Sequence, residues 1–199
     1  MPWSSSHKTK TRERILHAAA SAFRAEGVAA IGVGDVMGRA GLTHGGFYAH
    51  FESKEQLVAE ALRYASGQTT RAFDRTAASA GDGSLDAVID GYLDPAHLAH
   101  PERGCVVASL GPEAARGPRG VKRSLGQSIR ARLDRLRKLM PASLSKRARD
   151  EKAAGAFACM VGGLILARGL GEEEGERLAR FIEPGARSYA VAWGKPATR

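Results

Sequence analysis

Cysteine is nearly absent. Cys105 and Cys159 are the only two, too few for a disulfide framework, and the chain is expected to be cytosolic, that is, cytoplasmic. No apolar run approaches the roughly 18 residues a membrane span needs, so no membrane partner is expected. No apolar core precedes a small-residue cleavage site near the N-terminus, so no signal peptide is expected. Strand-period alternation is missing, and so is any internal repeat. There is no His-Glu-x-x-His, Cys-x-x-Cys or Gly-x-Ser-x-Gly. The six histidines (His7, His17, His44, His50, His97 and His100) form no tight ligand set. His97 and His100 could meet on one helical turn, but they read as exposed loop residues beside Pro101. The glycines of Gly32-Val33-Gly34-Asp35-Val36-Met37-Gly38 only superficially resemble a dinucleotide loop: the third is one position late and no strand precedes it. No metal, cofactor or catalytic set is therefore expected.

What is present is 43% hydrophobic content, enough for a folded core, and a net charge of +9, which suits an anionic partner. The charge is unevenly spread. Residues 1–55 carry seven cations (Lys8, Lys10, Arg12, Arg14, Arg24, Arg39, Lys54) against five acids (Glu13, Glu26, Asp35, Glu52, Glu55). Most of the excess lies downstream, much of it between Arg116 and Arg149, and reads as a solvated helix face.

The periodicity is helical throughout. Residues 1–7 read as loose, and Lys8, Lys10, Arg12 and Arg14 as a basic arm. A helix over about 9–26 carries Ile15, Ala18, Ala19, Ala22 and Phe23 inward and stops at Gly27. A second spans 33–39, with Val33, Val36 and Met37 inward, and ends at Gly41. Thr43 is placed to cap a third helix to about Phe51. Ser53 and Gln56 make a capping box for a fourth over 54–79. Gly81-Asp82-Gly83 breaks the pattern, and Ser84 caps a helix through Tyr92. An irregular stretch follows between Pro95 and Pro101. A short helix from Cys105 to about Leu110 is interrupted at Gly111-Pro112. After Gly117-Pro118 a long helix carries Val121, Leu125, Ile129, Leu133, Leu136 and Met140 and ends at Pro141. Two further helices, 145–168 and 172–193, flank Gly169-Leu170-Gly171, and Pro184 is placed to kink the last. This predicts an all-α protein of about nine helices. A helix-turn-helix module over 1–53 precedes a larger helical domain over 54–199.

The segment Ala40–Lys54 carries the chemistry. Its spacing is that of a helix-turn-helix, whose second helix presents its N-terminal residues to base edges in the major groove. Thr43 and Lys54 stand at helix starts, where a phosphate is favoured. His44 projects toward bases or phosphate. Gly45 and Gly46 permit close backbone approach, although glycine in a helix costs about 0.5–1 kcal/mol relative to Ala. Tyr48 and His50 can donate to phosphate, while Leu42, Phe47 and Phe51 anchor the element.

Residues 11–56 resemble the N-terminal domain of the TetR family of transcriptional regulators. The resemblance rests on Ala40, Gly41, Leu42, Thr43, Gly45, Phe47, Tyr48, His50, Phe51, Ser53, Lys54 and Glu55, in order. It implies a homodimeric all-helical repressor that binds DNA, dimerises through its last two helices and takes a small-molecule ligand in its C-terminal domain. It also implies that Thr43, Gly45, Tyr48, His50 and Lys54 face DNA. One departure is Gly32, where the family often has Ser or Thr, so a hydroxyl contact to phosphate is missing.

Downstream, Cys105 follows Arg103-Gly104 and opens a helix, a setting that favours a thiolate. It is a candidate electrophile or redox sensor, with a packed core cysteine as the plain alternative. Tyr64, Phe73, Tyr92 and Phe157 are candidate pocket residues. The small residues around Cys159 allow another helix to pack closely, in a core or a dimer seam. The competing reading is a helical small-molecule carrier or enzyme with no DNA role.

Overall fold

The computed structural model describes residues 5–81 and 84–188. The loose segment expected at the extreme N-terminus, the Asp82-Gly83 part of the expected break, and residues 189–193 of the expected last helix lie outside the described residues, wholly or in part. Among the described residues there are nine α-helices and two 3-10 helices, and no strand. In order they are α1 (Ser5–Glu26), α2 (Val33–Arg39), a 3-10 helix (His44–Ala49), α3 (Lys54–Ser79), α4 (Ser84–Leu93), α5 (Pro95–Ala99), a 3-10 turn (Pro101–Arg103), α6 (Val106–Arg116), α7 (Arg119–Leu139), α8 (Lys146–Leu170) and α9 (Glu172–Ser188). The all-α expectation is met. The chain forms two compact units, each closed by distant segments: Met1–Thr69 with Pro101–Ser128, and Thr70–His100 with Ile129–Arg199.

In the first unit α1 ends at Gly27, whose φ of +87° admits a side chain only with strain. Gly41, at φ +67°, turns the chain from α2 toward the 3-10 helix in the same way. The core gathers Ile15, Ala19 and Phe23 of α1 with Val36, Met37, Phe47, Phe51, Leu57 and Leu62. Each large side chain removed from water contributes about 1.5–3 kcal/mol. Val33, expected inward, is only half-buried.

Six local expectations change. The stretch after Pro95, expected to be irregular, forms α5, whose Ala96 amide donates to Asp94 Oδ1 at 2.8 Å, and Ser5–His7, expected to be loose, are the first residues of α1. The expected third helix is a 3-10 helix over six residues, shorter than the 43–51 span. Thr43 occupies its N-cap without a side-chain cap bond; instead the Gly46 amide donates to the Thr43 carbonyl at 3.1 Å, the bond that a 3-10 turn makes. The capping box of α3 forms with a shifted partner: the Gln56 amide donates to Ser53 Oγ at 3.1 Å, but the Gln56 side chain accepts from Glu52 N at 2.7 Å. Helix α6 continues through Gly111-Pro112 to Arg116, with Pro112 exposed and Ala114 buried on its inner side.

The second unit is packed around α8 and α9, with α4 and α5 against them. By length and mean hydropathy, 1.7 over its most apolar stretch, α8 could cross a membrane. Its Ala153, Ala156, Phe157, Met160, Gly163, Leu164 and Ala167 are instead buried in this protein's own core. The approach of α8 to α9 is close. A Cβ built on Gly175 would lie 2.2 Å from the Ala167 carbonyl oxygen, and one on Gly163 would lie 2.9 Å from Ile182. At these positions the small residues serve packing within one chain.

Candidate nucleic-acid interface

The 3-10 helix is held from behind by apolar contacts. Phe47 is fully buried and stacks on Phe51, ring centroids 5.7 Å apart. Tyr48 lies edge-on to Phe47 yet remains 71% exposed. Thr43, His44 and Gly45 are also exposed. A Cβ at Gly45 would meet nothing within 4 Å, so internal packing does not require glycine there. At Gly46 the nearest atom would be Met37 Cε at 3.6 Å, an ordinary contact. The outward edge of this element therefore presents a hydroxyl, an imidazole, a phenol and bare backbone.

His50 and Lys54, like Gly46, are half-buried, whereas Thr43, His44, Gly45 and Tyr48 are exposed. His50 Nδ1 is buried without a hydrogen-bond partner. Burial lowers the His50 pKa from the ordinary imidazole value, and the charges of Lys8 and Arg12 lower it further. The Lys54 ammonium donates to the Val28 carbonyl at 2.9 Å. Of the expected basic arm, Lys8 and Lys10 are exposed, but Arg12 and Arg14 act as struts. Arg12 makes two bonds to the Glu60 carboxylate, at 2.5 and 2.8 Å, and lies 4.4 Å from the Phe51 ring centroid. The bond to Arg12 holds the Glu60 carboxyl below its ordinary pKa. Arg14 donates to the Ala40 carbonyl at 2.5 Å, fixing the end of α2. An open cleft of about 550 Å³ lies between α1 and the Ala40-Gly41 turn, lined by Arg14, His17, Ser21 and Arg39. Its arginines are already engaged, Arg14 on Ala40 and Arg39 in a paired bond to Glu26.

Sequence reasoning missed the polar ties that hold this unit. Arg24 is 5% exposed and donates to Ala20 O, Gly104 O and Gln68 Oε1, at 2.9, 3.0 and 3.0 Å. Burial pulls its pKa down to about 10, so it remains charged at neutral pH. The Glu113 carboxylate accepts from the amides of Val28 and Ala29, at 2.9 and 2.7 Å. Glu113 sat in a stretch read as interrupted by Pro112, and no sequence signal pairs it with Val28. Along the α7 segment the buried residues include Ser124, Ser128 and Arg132 besides Val121, Leu125, Leu136 and Met140 of the expected stripe, whose Ile129 and Leu133 are only half-buried. Arg63 donates to Ser124 Oγ at 2.9 Å. The exposed Arg119, Lys122, Arg123, Arg130 and Lys138 conform to the expected solvated face.

Cys105 is 4% exposed at the N-cap of α6. Tyr64, in the first unit, is half-buried and edge-on to His17 at 6.4 Å. Phe73, Tyr92 and Phe157 are buried in the second unit. There the Arg132 guanidinium lies 4.5 Å from the Phe73 ring centroid, and Tyr92 is edge-on to His97 at 4.8 Å. His97 is not an exposed loop residue: its Nδ1–H donates to the Tyr92 carbonyl at 2.6 Å. Burial lowers its pKa against the opposing effect of that bond, and Arg168 and Arg132 lower it further.

Residues 15–61 match the bacterial regulatory proteins of the tetR family. The transcriptional repressor KstR2 of Mycolicibacterium smegmatis is 40% identical over 62 residues, which cover 31% of this chain and 30% of that repressor. A solved tetR-family regulator from Cytophaga hutchinsonii superposes with a TM-score of 0.78 over 96% of this chain and all of its own, at 18% identity. The Bacillus subtilis regulator FadR, solved with stearoyl-CoA, gives 0.66 over 89% of this chain and 98% of its own, at 15% identity.

Proposed function

We propose that this chain, a tetR-family protein by its N-terminal domain and its fold, is a homodimeric DNA-binding repressor released from a palindromic operator by a small-molecule or electrophile signal. The observation that carries the reading is the outward edge of the 3-10 helix. Thr43, His44, Gly45 and Tyr48 are exposed on a rigidly backed element, and Gly45 has no packing role. In the operator complex the backbone at Gly45 and Gly46 approaches the groove. Thr43, His44 and Tyr48 contact bases and phosphates, and His50 and Lys54 stand at the edge of the contact.

The dimer reading rests on α8 and α9. Ile165, Leu166 and Leu170 on α8 and Phe181 on α9 are large apolar side chains left exposed, and a second copy of this chain would cover them. The two recognition elements then fall about 34–36 Å apart, one turn of the duplex. A ligand in the C-terminal domain, near Phe73, Tyr92 and Phe157, releases DNA by preferring a state whose half-site spacing is wrong. Cys105 is the candidate for an electrophile-sensing version of the same switch. Its alkylation would lower operator affinity in wild type and leave Cys105→Ser unaffected; unchanged affinity after full alkylation removes it as a sensor. No catalytic role is proposed for any residue.

The test is a titration of full-length protein with palindromic fragments taken from beside its own coding sequence, at several salt concentrations. Binding that weakens steeply with salt is expected. Absence of binding to every such fragment without ligand overturns the repressor reading in favour of an activator or a carrier.

A further inference from the structure

We propose that Lys54 and Glu113 are positioning residues for DNA recognition: together they clamp the Val28–Ala29 loop, and Lys54 acts through that loop, not as a phosphate contact. This rests on the DNA-binding reading above and departs from the role that Lys54 would inherit from its place in the motif.

The loop joins α1 to α2, the first helix of the helix-turn-helix. Every peptide group at Val28 is engaged by a charged side chain. Its carbonyl accepts from Lys54 Nζ at 2.9 Å, and its amide donates to Glu113 Oε2 at 2.9 Å. The next amide, of Ala29, donates to Glu113 Oε1 at 2.7 Å. One carboxylate thus grips two successive N–H groups while an ammonium grips the carbonyl between them. Such charge-assisted bonds are shorter and about twice as strong as neutral ones. The left-handed Gly27 presents the loop to Glu113; a Cβ there would lie 3.4 Å from Glu113 Oε2.

The clamp is anchored on both sides. Lys54 is the first residue of α3, and Glu113 stands on α6. At the other end of α6, Arg24 of α1 donates to the carbonyl of Gly104, the residue before the Cys105 N-cap, at 3.0 Å. Helix α6 and the residues that lead into it are therefore bonded to α1 or to the loop that follows it. A shift of α6 or of the α3 start moves Val28 and Ala29, and α2 begins only five residues after Val28, at Val33. Helix α2 packs on the 3-10 helix, so its tilt sets where Thr43, His44 and Tyr48 point. Contacts to base edges tolerate little displacement, so a loosened loop lowers affinity without deleting any contact to phosphate.

Salt dependence separates the two roles of Lys54. Loss of a phosphate contact lowers the slope of log K against log salt by about 0.9. Loss of a positioning bond lowers K and leaves the slope unchanged. The experiment measures operator binding by full-length protein across a salt series for wild type, Lys54→Met, Lys54→Gln and Glu113→Gln. It also measures amide hydrogen exchange at Val28 and Ala29. Affinity is expected to fall about tenfold in Lys54→Met and Glu113→Gln with the wild-type slope. Lys54→Gln, which keeps an N–H donor without charge, recovers part of the loss. Exchange at Val28 and Ala29 accelerates in Glu113→Gln while the amides of α8 are unchanged. The double variant Lys54→Met/Glu113→Gln loses less than the sum of its parts, because both act on one loop.

A slope reduced by about one in Lys54→Met, with no recovery in Lys54→Gln, overturns the assignment and makes Lys54 a phosphate contact. Unchanged affinity and exchange in Glu113→Gln also overturn it. A wild-type protein that binds no operator fragment defeats the DNA reading instead, and the exchange result still reports separately on whether the clamp exists. Should Lys54→Met fail to fold, Lys54→Gln and Glu113→Gln decide the matter.

Discussion

The two units of this chain both carry polar ties across elements but differ in how their principal helices meet. In the first, polar side chains reach across elements to named backbone atoms: Arg24 to Gly104, Arg14 to Ala40, Glu113 to Val28 and Ala29. Such bonds are directional, so they fix angles as well as distances. The second unit has such ties too, Arg168 of α8 donating to the carbonyls of His97 and Leu98 at 2.7 and 3.1 Å, but α8 and α9 themselves meet by close approach at Gly163 and Gly175, where dispersion does most of the holding. That contact carries little polar register beyond Cys159 Sγ and the Ile182 carbonyl, 4.0 Å apart, and it leaves Ile165, Leu166, Leu170 and Phe181 exposed. Under the proposed function, directional ties suit a unit that presents Thr43, His44 and Tyr48 to DNA, and an apolar outer face suits one that meets a second copy through Ile165, Leu166, Leu170 and Phe181.

The largest effect that could break this contrast is at Gly175. Gly175→Ala places a methyl 2.2 Å from the Ala167 carbonyl oxygen and is expected to cost about 3 kcal/mol or more. A melting temperature unchanged from wild type would show that α8 and α9 are not closely packed. Next comes Arg24→Met, which strands the Gly104 carbonyl in the buried side of the first unit, at an expected cost of about 2–3 kcal/mol by denaturant unfolding. A neutral result would mean that packing holds this unit too.

Phe181→Asp removes a side chain that is 74% exposed, so the monomer should lose no more than about 0.5 kcal/mol. Dimer dissociation, read by sedimentation, should strengthen at least about tenfold if the outer face is the seam. An unshifted dissociation constant sends the seam elsewhere. A smaller effect comes from His97, whose folded pKa lies below the ordinary 6.5. The unfolded chain takes up this proton first, so stability is full above that value and declines as pH falls below it. His97→Gln should flatten that acid limb in pH-dependent melts, and an identical limb would clear His97. The smallest effect on stability is at Gly45. With nothing within 4 Å of a new Cβ, Gly45→Ala should be neutral or stabilising by up to about 0.5 kcal/mol, yet weaken operator binding. Equal binding would mean the backbone there does not approach DNA.

Much of this was legible in the sequence. Gly27, Gly41, Ser53, Pro141 and Gly171 mark breaks that local backbone preference alone can locate. The apolar spacing of Ile15, Ala19 and Phe23, or of Val121, Leu125 and Leu136, marks helix faces for the same reason. The exposed character of His44 and Tyr48 was also readable, since they alternate with Phe47 and Phe51. Arg12 and Arg14 were not readable as struts, because a surface cation and a tethered one have the same local pattern. The same holds for Arg132, buried over Phe73 on a helix whose Arg119, Lys122, Arg123, Arg130 and Lys138 face solvent. His97 looked like a loop residue because its partner, the Tyr92 carbonyl, is a backbone atom with no sequence signature. Pro112 signalled a break that α6 does not make.

The sequence by itself determined most of the helices and the motif between Ala40 and Lys54, because those depend on dihedral preference, capping and apolar period within a few residues. Only the tertiary structure decided what the charged side chains do. Whether Lys54 and Glu113 meet solvent or the Val28 peptide depends on atoms 26 and 85 residues away in the chain. A carbonyl or amide brought to a lysine or a glutamate by packing has the same sequence as one that faces water.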